Sequence, residues 1–313
     1  MKKILITGSE GFVGQHTVHE LKKNYSIVGL SRNTKLPAEE NLVYEIGDIL
    51  DENFLYELLK KYKPDVILHL AGIAKTWGND PREVFNINLI GTLNIYESVL
   101  KLKNEDGFDP KIVFVSSAEC YGKTNNTENI TEDSILNPVN TYGASKLAAD
   151  RLSYQYTQAH NLNIVILRPF PHIGPGQQKG FFVPDITSQI IEIEKDPSRH
   201  ELMVGNLEAI RDYLDVRDVV RAYKLAIGKD LTKGEAYNIC SGKGIKVEEI
   251  LQKILAQTDK KIEVKTDPSR MRPIDLPIFV GNNKKFVAAT GWQPEISIDQ
   301  SLKDVLDYWR GRV

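Results

Sequence analysis

The sequence predicts an α/β protein: a doubly wound parallel sheet followed by a smaller α/β lobe toward the C-terminus. Three observations predict it. Short runs rich in Ile and Val at residues 4–6, 27–30, 42–46, 66–70, 112–115 and 164–167 alternate with segments of helical length and period. That is the pattern of strands buried on both faces and joined by crossover helices. Three glycines, Gly8, Gly11 and Gly14, fall where the first of these runs gives way to a helix. With 313 residues and 41% hydrophobic content, the chain can bury a full core in one large domain or two closely joined ones.

Gly8 permits a tight turn after the first apolar run, Gly11 lets backbone approach a pyrophosphate, and Gly14 lets the next helix lie close to the sheet. The start of that helix offers unpaired N–H groups and a positive dipole end to an anion, although an ordinary strand-to-helix turn can carry the same glycines. Residues 81–102 place Val84, Phe85, Ile87, Leu89, Leu93, Ile95 and Val99 in a helical segment, and 142–160 form a second one, both expected to flank the sheet. After Arg168 the run RPFPHIGPGQQKGFF breaks helix and strand alike, which places a domain boundary there. Beyond it, helices are expected near 183–196 and 216–228, short strands near 202–204, 236–239 and 262–264, and a final helix at 298–310.

Composition narrows the function. A formal charge of −2, a pI near 6.3 and scattered basic residues give no broad electrostatic footprint for nucleic acid or an anionic membrane. Phosphate binding must therefore be local. The two cysteines, Cys120 and Cys240, stand in no metal-ligand cluster or disulfide framework. No metal is expected, and a reducing, cytoplasmic setting fits. The opening MKKILITG is too short an apolar run for a secretory signal, and no stretch approaches about 18 apolar residues.

The residues with chemistry to offer gather around one helix. Tyr142 and Lys146 stand four apart, on one helical face within reach of each other. A free phenol titrates near 10, and lowering it to about 7 takes roughly 4 kcal/mol. One ammonium ~4 Å away at an effective dielectric of 20 supplies about that much. The pair is expected to act as a proton donor poised near neutrality; a solvated surface pair has the same spacing. Ser117 follows the run at 112–115, at a strand end where doubly wound sheets bind ligands. It is placed to hydrogen-bond a substrate oxygen beside Tyr142 or, as turn serines often do, its own backbone. NAD sites present Asp or Glu about 20 residues past the glycine turn. Here Ser31, Arg32 and Asn33 stand instead, so a 2′-phosphate would meet Arg32 and Ser31 and no repelling carboxylate. NADP(H) is the expected cofactor; with Arg32 turned to solvent, NAD(H) would bind as well.

The segments TGSEGFVG, SSAECYG and the Tyr142/Lys146 pair resemble the extended short-chain dehydrogenase/reductases, the NAD-dependent epimerase/dehydratase family. With HLAG at 69–72, NLIGT at 88–92 and the ending TGWQPEISIDQSL, the resemblance covers nearly the whole chain. The runs RPFPHIGPGQ with Gly180 and Phe181, VGNLEAIRDYLDVRD and YNICSGKG narrow it to the family's reductases of GDP-4-keto-6-deoxy-D-mannose. The resemblance implies a Rossmann domain over 1–168 with a returning segment near 210–240, and a nucleotide-sugar-binding domain made mainly of 169–313. It makes Tyr142 the catalytic acid, Lys146 its electrostatic partner and a ligand of cofactor ribose, and Ser117 the ligand of the substrate oxygen. Gly8, Gly11, Phe12, Val13 and Gly14 would hold the cofactor at the turn, Asp48 and Ile49 beside adenine, and Leu70, Ala71 and Gly72 beside ribose and pyrophosphate. Arg211, Arg272 and Phe182 would hold a GDP-linked sugar, the arginines through planar guanidinium contacts with phosphate.

The implied reaction is NADPH-dependent reduction of the C4 carbonyl of a nucleotide 4-keto-6-deoxysugar, giving GDP-D-rhamnose, with 6-deoxytalose as the other possible configuration. A 4-epimerase or dehydratase with tightly held NAD, and a non-catalytic NAD(P) sensor, share much of the pattern. A homodimer joined through 81–102 and 142–160 is implied too, although apolar faces on those helices can equally pack only on the sheet. Two departures qualify the resemblance. Many relatives carry Asn where this chain has Pro171, which lacks an amide and a backbone N–H. Dehydratases of the family follow the catalytic hydroxyl with an Asp–Glu pair, and here the pair is Ala118 and Glu119. Alanine cannot protonate a leaving hydroxyl; Glu119 is read either as a catalytic base or as a structural hydrogen-bond acceptor.

Overall fold

The computed structural model describes residues 1–32, 39–74, 78–196, 198–271 and 274–312. The six Ile- and Val-rich runs become strands β1 (Lys3–Thr7), β2 (Ser26–Ser31), β3 (Leu42–Ile46), β4 (Val66–His69), β5 (Lys111–Val115) and β6 (Ile164–Pro169). A seventh strand, Ala236–Ile239, returns from late in the chain to pair with β6. All neighbours are parallel, and the order across the sheet is Ala236–Ile239, β6, β5, β4, β1, β2, β3. The strand order reverses between β1 and β4, and the carboxyl ends of those two strands open the crevice in which such sheets hold ligands.

Period-two alternation sorts the strand side chains to two faces. Ile4 and Ile6 of β1 enter one core with Val113 and Val165, covered by helices Phe12–Leu21 and Val216–Gly228. Leu5 enters the opposite core with Ile67 and Ile112, covered by Glu52–Tyr62, Gly91–Asp106 and Thr141–His160. The helix expected at 81–102 is three pieces: Pro81–Phe85, one π turn at Asn86–Ile90, and Gly91–Asp106. Such a turn inserts a residue into the helical ladder and re-aims its neighbours, and Asn88 within it is fully buried.

A separate core joins helices Phe182–Lys195, Val247–Leu255 and Ile298–Arg310 through Ile186, Ile190, Ile250, Leu302 and Val305. The strands expected near 202–204 and 262–264 pair in parallel as Glu201–Val204 and Glu263–Thr266. Helix Val247–Leu255 lacks a side-chain cap and follows Lys246, so no start signal announces it in the sequence. Among the described residues no helix is long and apolar enough to cross a membrane.

Candidate active site

Gly8 turns the chain after β1 at a φ of +68°, and a Cβ on it would stand 2.9 Å from the backbone of Ala71. A Cβ on Gly14 would lie 2.1 Å from the Gly8 carbonyl oxygen. Only glycine lets strand, turn and helix approach this closely. Helix Phe12–Leu21 has Gly11 as its N-cap, with no side-chain cap and no acidic residue in its first turn. Its N–H groups and positive dipole end are left for an anion, so the turn fits a dinucleotide pyrophosphate.

A buried relay fixes the loop facing that turn. The Ala71 N–H donates to Thr7 Oγ1 at 3.1 Å, and Thr92 Oγ1 donates to the Asn88 carbonyl at 2.8 Å. Thr92 therefore accepts from His69 Nε2 at 2.9 Å, which leaves His69 Nδ1 to accept from the Thr7 hydroxyl at 2.7 Å. The relay needs a neutral imidazole, and burial pushes His69 down to about 3. Asn88 accepts from the Ile73 N–H and donates to the Ile73 carbonyl and to Ser145 Oγ. The loop after β4 and the helix carrying Tyr142 thus share one anchor.

That helix, Thr141–His160, begins at Asn140, whose Oδ1 accepts from the Gly143 N–H at 2.7 Å while its Nδ2 donates to Glu119 at 2.8 Å. Glu119 is held by the helix cap, the contact that its reading as a structural acceptor expects. Ser117 caps the short turn after β5 with its side-chain oxygen, which accepts from the Glu119 N–H at 3.2 Å, and its hydroxyl stands near enough to the Tyr142 phenol to favour the phenolate. Lys146, 4% exposed, donates to the Val115 carbonyl at 2.8 Å. Tyr142 and Lys146 line one cleft with Val13, Leu70, Gly72 and His172.

The phenol differs from the sequence expectation. Burial raises Tyr142 well above the ordinary tyrosine value; the Ser117 hydrogen bond opposes this, while Cys120 and Glu119 add to it. Desolvation dominates, and the attraction to Lys146 that the four-residue spacing suggested is not among the causes of the shift. Burial also pushes Lys146 down to about 8, so the ammonium remains charged at neutral pH. Tyr142 therefore keeps its proton until an oxygen gaining negative charge takes it.

The other expected ligands scatter more. Phe12 stacks on His172, with ring centroids 6.2 Å apart and planes 11° from parallel. Ile49 is 7% exposed and belongs to the core; a Cβ on Gly91 would lie 2.4 Å from its Cδ1. Asp48 is half-buried and accepts from the Leu50 N–H at 2.9 Å. The expectation that no carboxylate stands at the end of β2 is overturned: Ser31 Oγ donates to Glu10 at 2.7 Å, while Arg32 is exposed. Arg211 is 9% exposed and ion-paired with Asp275, and Arg272 lies outside the described residues. Phe182 opens helix Phe182–Lys195 and packs, half-buried, on the second-lobe core. Pro171 needs no N–H where it sits: its carbonyl accepts from the Leu214 N–H at 2.9 Å, beside the pairing of His172–Ile173 with Leu214–Asp215.

Sequence reasoning missed His172 and Tyr223, both lining the cleft. His172 Nδ1 lies 2.9 Å from the Phe170 carbonyl, so that nitrogen carries the proton and Nε2 is left as an acceptor. Its only signal was a place in the Pro- and Gly-rich run; Tyr223, on an amphipathic helix, reads as core.

A family model described as GDP-mannose 4,6 dehydratase matches residues 5–305. The chain belongs to this family. It is an enzyme of the extended short-chain dehydrogenase/reductases, as its motifs implied. This family member is 33% identical to the GDP-6-deoxy-D-mannose reductase of Pseudomonas aeruginosa, covering 100% of this chain and 98% of that protein. It is 29% identical to the GDP-6-deoxy-D-talose 4-dehydrogenase of Aggregatibacter actinomycetemcomitans, covering 92% and 91%. The solved structure of RMD from Pseudomonas aeruginosa complexed with NADPH superposes with a TM-score of 0.86 at 31% identity, covering 100% of both chains.

Proposed function

We propose that the protein reduces the C4 carbonyl of a GDP-4-keto-6-deoxyhexose with NADPH, converting GDP-4-keto-6-deoxy-D-mannose to GDP-D-rhamnose. What carries this reading is that Tyr142 and buried Lys146 line one cleft with Val13 after the pyrophosphate-fitting turn, with the Ser117 hydroxyl acting on the Tyr142 phenol from beside it. Likeness to the P. aeruginosa reductase supports a GDP-linked keto sugar, and the NADPH in RMD supports the cofactor. Although the family is described by a dehydratase, Ala118 has no acidic group with which to expel water.

When bound, the cofactor supplies a hydride for C4. The Ser117 hydroxyl and the Tyr142 phenol hold the C4 oxygen, and the phenol proton passes to that oxygen as negative charge develops on it. The Lys146 ammonium then stabilises the phenolate in a site of low dielectric. Tyr142 recovers its proton once product leaves, because burial favours the neutral phenol. On the substrate side, Arg211 takes the sugar-nucleotide phosphates after exchanging its pairing with Asp275.

The test incubates purified protein with GDP-4-keto-6-deoxy-D-mannose and NADPH, following NADPH absorbance and identifying the product by NMR. One NADPH lost per sugar, with the C4 configuration of rhamnose, is the expected result. Product formed without net NADPH loss would make the protein a 4-epimerase. No turnover of any 4-keto nucleotide-sugar would overturn the assignment.

A further inference from the structure

We propose that Glu10 sets how strongly the cofactor site discriminates between NADPH and NADH, by placing a carboxylate where the adenosine 2′ position binds. The proposal rests on the cleft being a dinucleotide site and is independent of which sugar is reduced.

In a doubly wound sheet the adenosine ribose lies beyond the end of β2, where an Asp or Glu of that strand's end normally accepts from the 2′-hydroxyl. The last residue of β2 here is Ser31, 2% exposed, with its hydroxyl donated to Glu10 Oε2 at 2.7 Å. Both partners are anchored through their backbones. The Ser31 carbonyl accepts from the Gly47 N–H at 3.0 Å, and the Glu10 carbonyl accepts from Gln15 Nε2 at 2.7 Å. Glu10 itself is half-buried, two residues past the turn at Gly8. The glycine turn therefore supplies, across the β1–β2 pair, the acid that β2 lacks.

A carboxylate only accepts hydrogen bonds. A ribose 2′-hydroxyl can donate to Glu10, whereas a 2′-phosphate has no proton to offer at neutral pH and meets like charge. Arg32 follows Ser31 directly and is exposed, and its guanidinium acts in the opposite sense, favouring the phosphate. The two charges bracket one ribose position. Such a site takes both cofactors, with Arg32 favouring NADPH and Glu10 restraining that preference.

The experiment titrates the full-length protein with NADPH and with NADH, reading cofactor fluorescence, with no sugar present. E10Q is expected to raise the ratio of the NADH to the NADPH dissociation constant by at least about tenfold, the scale of one lost charge-assisted hydrogen bond. R32A is expected to lower the same ratio. A folded E10Q with the wild-type ratio would overturn the proposal; should E10Q fail to fold, E10S takes its place under the same two outcomes. Wild-type protein that binds neither cofactor would instead overturn the dinucleotide reading beneath the proposal, a failure distinguishable from an unchanged ratio.

Discussion

The sheet-side wall of the cleft and the surroundings of Arg211 are built in opposite ways. On the sheet side, each reactive group is held by a neutral partner: Tyr142 by the Ser117 hydroxyl, Lys146 by the Val115 carbonyl, and the loop after β4 by the Asn88 amide. Arg211 is instead held by a carboxylate, Asp275, 64 residues further along the chain. Neutral contacts leave the charge of Lys146 available to a developing phenolate. An ion pair must be exchanged before its guanidinium can take a phosphate. Defects on the sheet side should therefore appear in kcat, and defects around Arg211 in KM.

The sharpest way to break this division is at the proton donor. Tyr142→Phe should lower kcat by about 10³-fold while NADPH binding, measured by fluorescence titration, stays nearly unchanged. Ser117→Ala should lose about 10²-fold in kcat with little change in KM, because it removes one hydrogen bond to the charged oxygen. On the other side, Arg211→Ala should raise KM for the sugar nucleotide by about tenfold with kcat largely kept. Asp275→Asn should move KM the opposite way, since the guanidinium no longer leaves a counter-charge; a raised KM there would show that Asp275 orients Arg211 instead of competing for it. The smallest effect belongs to the cap. Asn140→Ala should cost about 1 kcal/mol of stability in thermal unfolding, with kcat reduced only through the start of helix Thr141–His160, where Tyr142 sits.

The same contrast explains what the sequence revealed. Tyr142 and Lys146 were legible because helical geometry brings positions four apart onto one face, and the glycine turn because Gly8 and Gly14 meet within a few residues of chain. The sheet followed from strand periodicity, and its seven parallel strands bear that out. Partners set by tertiary packing left no local trace. Asp275 beside Arg211 and Glu10 beside Ser31 join residues with no shared period. The resemblance assigns Ile49 to adenine, and nothing local announces that the missing side chain of Gly91 gives the Ile49 side chain a place in the core. The phenol was misjudged for a related reason: spacing reports an attraction between two groups but says nothing of the water that burial takes from both.

Joint action of a buried, protonated Tyr142 and a charged Lys146 is read from the pH dependence of kcat/KM for keto-sugar reduction, because that parameter reports groups of the free enzyme. Lys146 loses its charge as pH rises through about 8, whereas burial keeps the Tyr142 proton in place well beyond that point. The rate should be level near neutrality and fall on the alkaline side with a midpoint near the Lys146 value of about 8. A rate that instead rises through that range, or stays level until free phenols ionise near about 10, would show that the two groups do not act together.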